Sequence, residues 1–218
     1  MKEPPNRVDF SNTTGATVEC AARGSPTPDI IWVRSDGTAV GDVPGLRQVQ
    51  ANGNLLFPPF RAEDYRQEVH AQVYACLARN SVGTIHSRDV NVRAVVNQFY
   101  EAEILTEYVI RGNAAVLKCS IPSFVADFVK VEAWIDEEGT EITHSADLEG
   151  KYLVLPSGEL HIRDVGPEDG YKSYQCRTKH RLTGETRLSA TKGRLVITDG
   201  TSSLKARPGN SQLPSMTE

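Results

Sequence analysis

The 218-residue chain has little of what most functional classes require. It contains no uncharged apolar run of roughly 18 residues, which excludes a membrane-spanning helix. Its 24 basic residues are outnumbered by 28 acidic ones, so no global positive field recommends nucleic acid as a partner. The opening stretch, MKEPPNRVDF, lacks an apolar segment of signal-peptide type. Either the protein is cytosolic, or an export segment ahead of Met1 has been removed. The five histidines (His70, His86, His144, His161 and His180) are scattered, and there is no HExxH, GxSxG, GxGxxG or P-loop. These absences predict no catalysis, no metal and no cofactor. What remains is 39% apolar and 24% charged, an ordinary globular composition.

Cysteine is scarce as well, and its placement is informative. Cys20, Cys76, Cys119 and Cys176 lie too far apart for the paired CxxC clusters of a zinc site. They form two pairs at nearly equal intervals, and each pair brackets one of the only two tryptophans, Trp32 and Trp134. A tyrosine stands two positions before each second cysteine, at Tyr74 and Tyr174. Four cysteines allow three pairings, and the duplication singles out Cys20–Cys76 with Cys119–Cys176. A finer repeat supports it. NGNLLFPPFRAED (52–64) and SGELHIRDVGPED (157–169) align at one constant offset, matching Gly53 with Gly158, Leu55 with Leu160, Phe57 with Ile162, Phe60 with Val165 and Asp64 with Asp169. The chain therefore holds two copies of one module.

Within each copy the pattern is short and β. Val18 and Cys20 share one face with Glu19 opposed, and Tyr74, Cys76 and Ala78 alternate likewise. Pro and Gly clusters punctuate these runs, and no apolar stripe of helical period reaches three turns. Cys…Trp…Tyr-x-Cys among short strands resembles the immunoglobulin sandwich. CAARGSPTPDIIW (20–32) and CLARNSVG (76–83) resemble its I-set variety, common in cell-adhesion ectodomains. The stretch 155–197 is similar to the N-terminal immunoglobulin pair of insect members of the Dscam (Down syndrome cell adhesion molecule) family. The resemblance implies an all-β fold of two tandem I-set sandwiches, residues 3–95 and 96–199, each with one inter-sheet disulfide. Trp32 and Trp134 would pack on the bridges, with Tyr74 and Tyr174 as corners. Residues 200–218, polar and rich in Gly, Pro and Ser, are expected to be a disordered linker or appended tail.

Several local expectations follow. Asp64 to Cys76 is longer than Asp169 to Cys176, which predicts an enlarged loop before the first module's sixth strand. Strict alternation would set Glu132 and Lys130 on the same face as Trp134, which predicts a β-bulge. Family likeness makes Asp64 and Asp169 structural braces to basic residues. The acidic run Glu132, Asp136, Glu137, Glu138, Glu141, Asp147, Glu149 and the basic run Arg177, Lys179, Arg181, Arg187, Lys192, Arg194 have two readings. They form either a site for a sulfated glycan or acidic partner, or neighbouring strands whose charges offset. Disulfides point to an oxidising compartment, hence to the extracellular part of a plasma-membrane protein. The sole sequon, Asn12-Thr13-Thr14, predicts glycosylation at Asn12. VRAVVN (92–97), without Gly or Pro, predicts a short joint with little hinge freedom.

The resemblance implies homophilic adhesion in neuronal wiring and self-recognition, with isoforms made by alternative splicing. Self-recognition needs a self-complementary surface, and an exposed antiparallel edge strand supplies one. EAEILTEYVIRGN (101–113) stands where the second module's first edge strand belongs. Self-pairing centred on Val109 sets Glu107 opposite the partner's Arg111 and Tyr108 opposite its Ile110. The first alternative is heterophilic binding of another protein or a glycan through the hairpin around Arg181 and Thr183. The second is a purely structural spacer.

Overall fold

A computed structural model describes residues 1–144 and 150–200. The acidic side chains expected at Asp147 and Glu149, and the tail beyond Gly200, lie outside them. The first sandwich is built from β1 (Arg7–Ser11), β2 (Ala16–Val18), β3 (Asp29–Arg34), β4 (Gln48–Val49), β5 (Leu55–Phe57), β6 (Ala71–Arg79), β7 (Thr84–His86) and β8 (Val90–Val95). One sheet runs β1-β8-β6-β3, with β7 also on β6, and the facing sheet runs β2-β5-β4. A single α-helical turn, α1 (Gln67–His70), fills the enlarged loop before β6.

The second sandwich repeats this plan. It contains β9 (Glu103–Ile104), β10 (Glu107–Ile110), β11 (Ala115–Leu117), β12 (Cys119–Ser120), β13 (Val129–Asp136) and β14 (Glu141–Ile142). It continues through β15 (Tyr152–Val154), β16 (Leu160–Ile162), β17 (Ser173–His180), β18 (Thr186–Leu188) and β19 (Gly193–Thr198). One sheet runs β10-β19-β17-β13-β14, with β18 also on β17, another runs β11-β16-β15, and β9 pairs with β12. By proximity of backbone the chain forms two compact units. Met1–Glu101, Ile121–Lys130 and Thr178–Arg187 make one; Ala102–Ser120, Val131–Arg177 and the described residues from Leu188 on make the other.

The cores follow from the duplicated residues. Cys20 bonds Cys76 and Cys119 bonds Cys176. Trp32, Trp134, Tyr74 and Tyr174 are fully buried, together with Leu55, Phe57, Leu160 and Ile162. Closing a loop of this size restricts the unfolded chain, and contributes roughly 4 kcal/mol per bridge on the chain-entropy estimate. The repeated glycines have a specific task. Gly53 and Gly158 have φ of 90° and 92°, which disfavours any side chain, and their carbonyls accept the Trp32 and Trp134 indole N–H at 2.8 and 2.9 Å. A Cβ at either would sit 2.9 Å from Ile30 or from Val131.

That last contact locates the bulge. Ile30 stands two residues before Trp32, whereas Val131 stands three before Trp134. The extra residue leaves Ala133 and Trp134 both fully buried, while Glu132 faces outward. Glu132 accepts from Arg177 Nε at 3.0 Å, and Glu141 also pairs with Arg177. Asp136 instead caps its own turn, accepting from the Glu138 and Thr140 N–H groups. Glu137 accepts from Ser173 N–H at 2.8 Å. The two charge runs meet across neighbouring strands at Arg177, which holds Glu132 and Glu141, while Asp136 and Glu137 are taken up by backbone N–H groups.

Candidate adhesive edge

β10 is the outermost strand of its sheet, paired in parallel with β19 on one side only among the described residues. Its register sets Glu107, Tyr108, Val109 and Ile110 beside Leu195, Val196, Ile197 and Thr198. Arg111 N–H donates to Thr198 C=O at 3.0 Å, so odd-numbered residues direct their backbone groups toward β19. Tyr108 and Ile110 consequently direct theirs to the open side. Asn113 N–H takes up one lone pair of Ile110 C=O, within the turn that ends the strand.

Side chains alternate with the same period. Val109 is only 7% exposed and fills the sandwich, whereas Tyr108 and Ile110 are 73% and 47% exposed. Glu107 and Arg111 are exposed at the two ends of the inward-facing row. Val109 thus turns its side chain into the sandwich and its backbone groups toward β19, while Tyr108 and Ile110 offer both backbone and side chain to the open side. Sequence reasoning missed two neighbours. Val196, beside Tyr108 on β19, is 40% exposed, and Leu105, just before the strand, is 77% exposed. Alternation along GRLVIT, with Gly193 and Leu195 buried, carried the signal for Val196.

The hairpin around Arg181 and Thr183 is committed elsewhere. Arg181 Nη2 donates to Asp9 Oδ2 at 2.8 Å, and its guanidinium lies 4.8 Å from the centre of the Phe128 ring. These residues fall in one compact unit. Burial works to raise the Asp9 pKa, yet the hydrogen bonds from Arg181 and Arg7 outweigh it and hold the carboxyl below its ordinary value. Asn12 is equally engaged. Its Nδ2 donates to Phe60 C=O at 3.0 Å and its Oδ1 accepts from Asn97 N–H at 2.7 Å. The nitrogen that a glycan would occupy is buried in the folded chain.

The two aspartate braces differ. Asp169 is fully buried, accepting from Lys151 Nζ at 2.7 Å and from Gly166 N–H at 2.9 Å. Asp64 is only half-buried and pairs with Arg61 at 2.9 Å, three residues away. Among the described residues no cluster of His, Cys, Asp or Glu could hold a metal ion. No helix among them is long and apolar enough to cross a membrane.

No family model matches the chain. It is 74% identical over 203 residues to cell adhesion molecule Dscam1 of Drosophila melanogaster, an alignment covering 93% of this chain and 10% of that protein. It is 38% identical over 192 residues to human cell adhesion molecule DSCAM, covering 88% of this chain and 9% of the other. The chain thus spans about a tenth of the length of these curated relatives. Among solved structures, the N-terminal four Ig domains of Dscam1 isoform 7.44 superpose with a TM-score of 0.86 at 81% identity, over 91% of this chain and 51% of that one. A structure described as the structural basis for Dscam isoform specificity superposes with a TM-score of 0.80 at 74% identity, again over 91% and 51%.

Proposed function

The chain belongs with the immunoglobulin domains of the Dscam cell adhesion molecules, and from that premise we propose that it mediates isoform-specific homophilic adhesion through the open side of β10. Residues 3–95 and 96–199 act as two extracellular domains of a plasma-membrane receptor in this reading, and the partner is a second copy of the same chain. The observation that carries it is the coincidence of two patterns on one strand. The backbone groups facing outward belong to Tyr108 and Ile110, the same residues whose side chains are apolar and exposed.

Antiparallel pairing about a twofold axis at Val109 joins Tyr108 of one copy to Ile110 of the other. Each such pair exchanges two backbone hydrogen bonds, and Val109 lies opposite itself without one. Glu107 then meets Arg111 twice across the axis. A slipped register would separate these charges, so they select the correct alignment more than they strengthen it. Cross-strand pairs stabilise by about 0.2–1 kcal/mol each, so this contact is weak alone and adhesion depends on further domains or multivalency.

Charge reversal tests the proposal. Glu107→Lys and Arg111→Glu should each lower self-association measured by analytical ultracentrifugation, while mixing the two variants should partly restore it. Unchanged association in both single variants would remove β10 as the contact.

A further inference from the structure

We propose that the enlarged loop before β6 is an acid-sensitive latch, held shut by neutral His70 and released when that ring takes a proton. The loop is an insertion relative to the second sandwich, and His70 is its most deeply placed residue, with no solvent exposure. The imidazole is stacked on Phe60 at 3.9 Å between centroids, with Tyr65 beside the pair at 5.4 Å from His70 and 6.5 Å from Phe60. Phe10 of β1 meets it edge-on at 6.5 Å. Nδ1 accepts from the Arg66 backbone N–H at 3.0 Å, closing the turn upon itself. That bond requires Nδ1 to be bare, so the single ring proton resides on Nε2, which is buried and has no hydrogen-bond partner.

A second proton must go to Nδ1, where it would point at the Arg66 N–H, donor against donor. The loop would lose that side-chain bond, keeping those of the Val69 and His70 N–H groups to Arg66 C=O, and would hold a charge in a site that offers it no acceptor. The charged neighbours mostly oppose the proton as well. Arg66 precedes the turn and Arg47 approaches from the segment before β4; both repel an imidazolium, and Glu68 on α1 attracts it. In the adjoining 3-10 turn, Asp64 and Glu63 are already paired with Arg61. The Tyr74 phenol on β6 donates to Val69 C=O at 2.8 Å, and burial pushes its pKa up, so it supplies no negative charge. Phe60 and Tyr65 would attract a cation through their faces. That attraction competes with burial, the donor clash and two guanidiniums.

Burial depresses the His70 pKa in the closed form. The neutral ring therefore stabilises the latch fully above the free-histidine value of about 6.5, and the stabilisation drains away as pH falls below it. The open population should rise up to about 25-fold between pH 7 and pH 5.

Amide hydrogen exchange over residues 66–73, expressed as protection factors, reads this directly. Protection should fall from pH 7 to pH 5 in the wild type and in His180→Phe, and should stay level in His70→Phe, which keeps the stacked ring. A pH-independent wild type, a fall that persists in His70→Phe, or one abolished in His180→Phe overturns the proposal. Should His70→Phe fail to fold, NMR titration of the His70 Cε1 proton in the wild type decides. A midpoint below 6.5 that coincides with lost protection supports the latch, and a midpoint at or above 6.5 overturns it.

Discussion

β1 and β10 hold the same place in their two sandwiches, each parallel to the last strand of its sheet, yet they present opposite surfaces. On β1 the inward row is Val8 and Phe10, and the outward row begins with Arg7 and Asp9. Asp9 is bonded by Arg7 at 3.0 Å and by Arg181 at 2.8 Å, so this edge is closed by charges already satisfied within the fold. On β10 the outward row is Tyr108 and Ile110, bare and apolar. Charged residues on an edge strand discourage pairing with another chain. The difference teaches that edge geometry alone does not make a contact surface, since both strands have it. Under the proposed function the outward row decides.

The corners before β6 and β17 diverge in the same manner. In the second sandwich, Asp169 is buried against Lys151, and the Tyr174 hydroxyl meets that of Tyr152 at 3.2 Å. In the first, the longer loop carries Asp64 out to the surface. Arg47 stays buried without a carboxylate, donating to Gly41 C=O and to the Tyr74 hydroxyl. Neutral oxygens replace the anion there, and the Tyr74 hydroxyl passes its own proton to Val69 C=O.

Substitutions at these paired positions sharpen the contrast. Asp169→Ala should cost about 2–3 kcal/mol of unfolding free energy in urea, because it removes charge-assisted bonds from a fully buried acceptor. Asp64→Ala, at an exposed ion pair, should cost less than about 1 kcal/mol. Equal losses would break the comparison. Between the tyrosines, Tyr74→Phe should be the costlier, by about 1 kcal/mol, since it strands an Arg47 donor and the Val69 carbonyl together. Thermal unfolding of both variants reads that difference. The smallest effect on folding belongs to Tyr108→Lys, which gives β10 the charged character of β1. Stability should move by no more than about 0.5 kcal/mol, while self-association in the ultracentrifuge should be lost. Retained association would show that the outward row does not decide.

Much of this was legible before any coordinates. The two disulfides, the buried tryptophans and the constant-offset repeat follow from spacing, because a duplicated core must keep its cross-links and its close glycine–tryptophan contacts in step. The bulge was readable from an alternation that failed around Trp134, although Val131 as the residue against Gly158 was not. The position of the β10 edge was readable as well. Its outward row was not separated from its inward one, because the parallel register on β19 is set by strand pairing and not by composition. Asn12 was read as a glycosylation sequon, yet its amide bonds to residues 48 and 85 positions away, a distance that no local motif reveals. Arg47 and α1 were likewise hidden, since an insertion changes which partners come within reach.

The parallel pairing of β10 with β19 also determines how the second sandwich resists mechanical load. A force that enters ahead of Glu107 and leaves after Thr198 drags the two strands past each other along their common axis. Every hydrogen bond between them is then strained at once, as rivets share a shearing load, whereas an antiparallel hairpin would peel open bond by bond. The strand proposed as the adhesive edge is thereby the one that locks its own domain under tension.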